Sequence, residues 1–503
     1  MFLLSITAQH LLGAESTWIA LDADQTLGLG SIRHQSSSES GYQQDRSGRH
    51  CRDAHPSEMQ SSMQDLLFDG KALFTEEIDT RLHGTKNSRM TLQTLGLCVP
   101  APAKPKFKPQ QTPTSAALPK HFRLLGLVTL WLGVIFLAGF FYTNVKITSP
   151  SYPQTNVMFL KTHKTASSTV MNILFRFAEK HNLTLALPAG QNYHLGYPHR
   201  FMAQFVEGFK TMGQSYNIMC NHMRFNLPEV RKVMPNTTTY FSIMRNPISL
   251  MESSYAYFKF FTPAFRRSKD VNEFLASPWT YYNMSEYTDN VHARNYMWFD
   301  FGYDNNAMDT EDYVQRVLAE IEQAFQLMLL TDYFDESMVL LKETLGWEMD
   351  DVVYFKLNSR SQDTIKSMTP ESKEKVKEWC SLDWKLYQHF NRTFWRRIQE
   401  TIGLEKLDQE VNLLRMRQKE LMELCLLNPM PIDKTKIKDK KLQPFQSGCA
   451  NILGYNLKED MANETLRTCL RLITPELQYM SYLYARQFPE KKRKSIAFSL
   501  WRR

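Results

Sequence analysis

Metal-type spacing is what the cysteines lack. The 503 residues contain seven cysteines, and none stands with another Cys or His at the short intervals of a zinc site. Glycine is sparse, with 20, and no G-x-x-x-x-G-K-[ST] stretch occurs, which argues against an ATPase or GTPase. The glycine-rich loop and metal-holding Asp motifs of a kinase are absent too. There is no internal repeat. Charge of one sign is also scarce: a formal +8 with a pI near 8.9 is too little over this length to indicate a nucleic-acid partner, and it suits an anionic small ligand. The opening "MFLLSITAQHLLGA" is apolar but has no basic n-region, so it is not read as a signal peptide.

What is present begins with one long apolar run. Residues 124–142, "LLGLVTLWLGVIFLAGFFY", carry no charge and meet the roughly 20-residue requirement of a membrane-spanning helix. Lys104, Lys106, Lys108, Lys120 and Arg123 precede it, and Lys146 alone follows before Lys161. This asymmetry predicts a cytosolic N-terminus and a single-pass type II signal-anchor, the chain beyond it being lumenal. Residues 1–123, Ser/Gln-rich and then Pro-rich, read as a largely disordered cytosolic tail. Residues 143–155 read as a lumenal stem and 156–503 as a lumenal catalytic domain. Five sequons follow the span, at Asn182, Asn236, Asn283, Asn391 and Asn463, as glycosylation on that side would need. Cys425 and Cys469 can pair there to tie a long helix to the C-terminal segment, whereas Cys220 lies in a predicted strand and reads as buried and free.

Beyond the stem the pattern is α/β. Buried strands are expected at 156–160, 216–220, 239–244, 325–330 and 352–357. Helices are expected at 167–180, 248–258, 311–322, 334–344 and 370–390. The alternation predicts a mainly parallel central sheet flanked by helices, with ligands beyond the carboxyl ends of its strands. A long charged helix is expected over 394–426, its stripe of Leu404, Leu407, Val411, Leu414, Leu421 and Leu424 packed on the domain. A homodimeric coiled coil is the competing use of that stripe.

The chemistry is concentrated in "VMFLKTHKTASSTVM", residues 157–171. A strand runs into Lys161, His163 and Lys164, then Thr165, Ser167, Ser168 and Thr169, then an apolar helix. A polar loop opening a helix aims N–H groups and cations at an anion. With "CNHMRFNLPEVRKVMPN", "YFSIMRNPISLMESSY", "NYMWFDFGYD", "YFKLNSRS" and "TPELQYM", this stretch resembles the galactose 3-O-sulfotransferases, Golgi membrane enzymes, from about 156 to 490.

The resemblance implies a P-loop-like sulfotransferase fold, 3′-phosphoadenosine 5′-phosphosulfate as sulfuryl donor, no required metal, and terminal β-galactosides as acceptors. It makes Lys164 the lysine that reaches the oxygen bridging phosphate and sulfate. Thr165, Ala166, Ser167, Ser168 and Thr169 would surround the 5′-phosphate, and Lys161 and Thr162 would also bind the donor. Arg245 and Ser253, in "SIMRNPISLMESS", would grip the 3′-phosphate, where a guanidinium fork suits bidentate recognition. His222 is read as the base for the acceptor hydroxyl and His163 as support for the donor or the acceptor, with a carboxylate (Glu252 or Asp335) as the rival base. Arg224, Lys356, Ser359 and Arg360 are weaker candidates for contacts to either substrate. Glycoprotein glycans, galactosylceramide or other glycolipids, and glycan binding without catalysis are the three functional readings. The chain departs from the family in the length of the segment before the span.

Overall fold

The computed structural model describes residues 129–134, 152–210, 215–286 and 288–491. Of the predicted span, 129–134 are helical; the rest of it, the tail and most of the stem lie outside the described residues. Among the described residues no helix is long and apolar enough to cross a membrane.

Four strands form the sheet: β1 (Val157–Leu160), β2 (Ile218–Met219), β3 (Thr239–Met244) and β4 (Leu327–Leu330). Their order is β2-β1-β3-β4, and every pairing is parallel. Val157–Leu160 and Leu327–Leu330 are buried on both faces, as continuous apolar runs in a helix-covered parallel sheet should be. Phe159 stacks on Phe241 across β1 and β3, with ring centroids 4.8 Å apart. Because all four strands point one way, Lys161, His222, Arg245 and Thr331 emerge from, or soon after, their carboxyl ends at one edge of the sheet.

The helices that matter to that edge are α1 (Ser167–Lys180), α2 (Pro247–Phe258), α3 (Tyr296–Asp300), α4 (Glu311–Ala324), α5 (Phe334–Leu345), α6 (Ser381–Thr401), α7 (Leu404–Cys425), α8 (Asn463–Ile473) and α9 (Glu476–Gln487). The predicted strand at 352–357 does not form. Met349–Val352 is a short helix closed by a reciprocal Glu348–Asp351 capping box. The segment after it is buried, but Leu357 N donates to the Thr169 hydroxyl (3.2 Å) rather than to a strand. Burial without a ladder leaves the same apolar signature. The predicted helix at 370–390 is two helices, Pro370–Trp379 and α6, separated at Cys380, whose φ −108° and ψ 45° are not helical. The predicted helix at 394–426 likewise divides at Ile402 and Gly403. Gly403 takes φ 80°, open to glycine at little cost, and α7 restarts from there. Leu407, Val411, Leu414 and Leu421 are buried, whereas Leu404 and Leu424 face outward.

Cys425 and Cys469 are joined in a disulfide, which ties α7 to α8 across 44 residues; Cys220 is buried and unpaired. Closing a loop of that length removes roughly 4 kcal/mol of chain entropy from the unfolded state. Replacing both cysteines by alanine is expected to lower Tm by roughly 5 °C. Calorimetry of the double variant checks this, and an unchanged Tm would deny the bond any part in stability.

Candidate active site

The loop between β1 and α1 is held in an unusual shape by its own hydroxyls. Lys164 and Ala166 both take φ 59°, the left-handed region that L side chains seldom adopt. Such alternation turns successive N–H groups toward one side and makes a concavity for an anion, at a helix start whose first N–H groups have no partner within the helix. Thr162 Oγ1 donates to Ile243 O (2.5 Å), Ser167 Oγ to Thr162 O (2.6 Å), and Thr331 Oγ1 to Thr165 O (2.7 Å). Thr165 Oγ1 lies 2.8 Å from Thr162 Oγ1, and Arg245 Nη1 donates to Lys164 O (3.0 Å). The Thr162, Thr165 and Ser167 hydroxyls therefore brace the loop. Thr169 Oγ1 is engaged by Leu357 N, and Ser168 donates to Glu476 Oε2 (2.6 Å). What this loop presents to an anion is chiefly backbone N–H and the cations around it.

Those cations crowd one another. The Lys164 ammonium lies 3.5 Å above the Tyr257 ring. Burial, followed by the positive fields of Arg245, Arg360 and Lys161, pushes its pKa well below the usual lysine range. Such a cluster favours a multiply charged anion, whose opposite charge would raise that pKa again. Ser253 is half-buried on α2, two turns from Arg245.

Beside the cations stand two stacked imidazoles. The His163 and His222 rings are parallel within 10° with centroids 3.7 Å apart, and Tyr296 stacks on His163 at 4.6 Å. His163 donates its backbone N–H to Asp300 Oδ2 (2.9 Å), and its Nδ1 lies 3.0 Å from the same oxygen. His222 Nδ1 lies 2.8 Å from Lys161 O, an acceptor, which makes Nδ1 the protonated nitrogen. Its Nε2 then offers a lone pair, met by Lys161 Nζ at 2.8 Å. Lys161 is paired in turn with Glu476 Oε2 at 3.2 Å. Burial holds both imidazole pKa values well below the usual histidine range, helped at His163 by Lys161 and at His222 by His163 and Lys161.

The family model for galactose-3-O-sulfotransferase matches residues 102–487. The chain belongs to the galactose-3-O-sulfotransferase family. It is a sulfotransferase. It is 55% identical to mouse galactose-3-O-sulfotransferase 2 over 381 residues, 74% of this chain and 97% of that protein. Against the human galactose-3-O-sulfotransferase 2 the identity is 52% over 389 residues, 76% of this chain and 98% of that protein. Human galactosylceramide sulfotransferase is 41% identical over 349 residues, 68% of this chain and 81% of that protein.

Within this sulfotransferase the fold brings Lys161, Lys164, His163, His222 and Arg245 together at one edge. The two carboxylates considered as rival bases are committed elsewhere: Asp335 accepts from Tyr354 Oη (2.8 Å) and Arg415 Nε (2.7 Å), and Glu252 pairs with Arg360. Arg224 packs over the Phe299 ring and donates to Tyr303 O, and Lys356 is exposed. Asp300, Tyr296 and Glu476 were not singled out by the sequence. Asp300 and Tyr296 lie in "NYMWFDFGYD" and Glu476 in "TPELQYM", so the family motifs were the only signal that could have raised them.

Proposed function

We propose that this chain transfers a sulfuryl group from 3′-phosphoadenosine 5′-phosphosulfate to the 3-hydroxyl of terminal β-galactose on glycoprotein glycans. The convergence of Lys164, Arg245 and the positive-φ loop beside the His163–His222 stack carries the reading. Negative charge grows on the leaving phosphate oxygen during transfer, and a preorganised ammonium stabilises it there more than in the ground state. The loop N–H groups and Lys164 would hold the 5′ end of the sulfuryl donor, and Arg245 with Ser253 its 3′-phosphate. His222, neutral and with its Nε2 lone pair directed at the cation cluster, would take the acceptor's proton once Lys161 turns to the bound anion. The identity to galactose-3-O-sulfotransferase 2, higher than to the galactosylceramide enzyme, favours glycoprotein acceptors.

The test supplies labelled sulfuryl donor to the detergent-solubilised full chain with Galβ1-3GlcNAc, Galβ1-4GlcNAc, Galβ1-3GalNAc and galactosylceramide. Label at O-3 of the glycan galactoses is expected. Label on galactosylceramide alone would move the protein to glycolipid acceptors, and no transfer to any of the four would refute the proposal.

The same reading makes the chain a single-pass type II protein of the Golgi membrane with its catalytic part in the lumen. The uncharged run at 124–142 and the disulfide support it. Asn182, Asn236, Asn283 and Asn463 are exposed, whereas Asn391 is half-buried. Glycan removal is expected to shift the protein's electrophoretic mobility, with part of the shift lost in each of Asn182→Gln, Asn236→Gln, Asn283→Gln and Asn463→Gln. A chain from cells that shows no shift would contradict the lumenal placement.

A further inference from the structure

Arg360 belongs to a segment pinned in place by the chain around residue 452. Ser361 N donates to Asn451 O (2.8 Å) and Leu453 N to Ser359 O (2.9 Å). Its side chain is only 11% exposed, and Nη2 pairs with Glu252 Oε2. Glu252 Oε1 also accepts Lys366 N (3.0 Å), so this carboxylate is fixed from two sides. The other half of the fork is different. Arg360 Nη1 and the adjacent Ser359 Oγ are both buried with no hydrogen-bond partner. An unsatisfied guanidinium N–H in the interior costs free energy unless something else meets it.

The surroundings say what could meet it. Lys164 and Arg245 both feel the positive field of Arg360. Glu252, the one carboxylate paired to this fork, immediately precedes Ser253 on α2, and its charge also reaches Arg245. Arg360 thus lies at the Arg245–Ser253 end of the cation cluster, where Asp332 and Glu252 are the carboxylates whose charge reaches Arg245 and neither meets the free Nη1 of Arg360. A dianionic phosphate monoester suits that opening, since it offers several acceptor oxygens to a guanidinium and a hydroxyl at once. We infer that Ser359 and Arg360 complete the clamp on the 3′-phosphate of the sulfuryl donor, joining Arg245 and Ser253. This rests on the sulfuryl donor proposed above. It adds a specificity element: the pair separates nucleotides that carry a 3′-phosphate from those that do not.

Calorimetric titration of the detergent-solubilised full chain with adenosine 3′,5′-bisphosphate and with adenosine 5′-monophosphate tests it. Loss of a charge-assisted contact should weaken the bisphosphate about tenfold or more in Arg360→Ala, while the monophosphate changes by less than about twofold. Arg360→Lys should fall between, and Ser359→Ala should lose the bisphosphate about threefold, since a hydroxyl contact is weaker than a charged one. Equal losses for both nucleotides, or an undiminished preference for the bisphosphate, would overturn the inference. If Arg360→Ala fails to fold because Glu252 is left unpaired, Arg360→Lys and Ser359→Ala decide, and an intact preference in both overturns it. Wild-type protein that fails to bind the bisphosphate would instead overturn the donor reading beneath it.

Discussion

Lys164→Ala is expected to lower kcat by about 10²–10³, the usual effect of deleting a preorganised group that meets developing charge. The loss should fall mainly on kcat. The loop's N–H groups and Arg245 still hold the ground-state anion, so KM for the sulfuryl donor should rise much less. The position is demanding because the backbone at Lys164 is left-handed, with its carbonyl held by Arg245 and its ammonium placed over Tyr257. A lysine fixed at both ends acts from one place. Lys164→Arg retains charge but not the compact ammonium, and should recover only part of the rate. Steady-state kinetics at saturating acceptor measures this directly. A kcat within about threefold of wild type in Lys164→Ala would remove the lysine from the transition state.

Much of this edge was legible in the sequence because parallel sheets impose a simple rule. Short apolar runs alternating with amphipathic helices place every strand's carboxyl end on one side, and the polar residues following each run are then neighbours. β3 and α1 fall where the pattern puts them, since Thr239–Met244 is mostly apolar and rich in residues that favour strands, and the polar loop before Ser167 marks a helix start. The segment at 352–357 misled because burial, which the apolar run encodes, does not specify a ladder partner. Hydroxyl direction was illegible for a related reason. Thr162, Thr165 and Ser167 can face an anion or their own loop with the same sequence, and carbonyls that become acceptors only after folding, among them Ile243 O, decide between these. Asp300 stands 137 residues from the histidine it orients, and Glu476 lies 308 residues from Ser168. No local period couples residues so far apart.

His222→Ala is expected to lower kcat by about 10²–10⁴, the range for a lost general base, while adenosine 3′,5′-bisphosphate still binds. The pH dependence makes the role specific. A base must be neutral to act, so activity falls as pH drops through its pKa. Burial first, and the neighbouring His163 and Lys161 next, hold the His222 pKa below the ordinary value. The acidic limb of kcat/KM, which reports the free enzyme, should therefore lie below the ordinary histidine pKa of about 6.5. The enzyme would then keep a neutral base in a mildly acidic compartment. So weak a base accepts the proton late, when the departing sulfuryl group has already made the acceptor hydroxyl more acidic. Lys161→Met gives the sign check. It removes the ammonium 2.8 Å from Nε2, so the imidazolium becomes easier to form and the acidic limb moves to higher pH. Glu476, which partly offsets that ammonium, acts in the opposite sense. Glu476→Gln leaves Lys161 uncompensated and should move the limb further down. A limb that stays in place in both variants would separate His222 from the titration, and with it from the role of base.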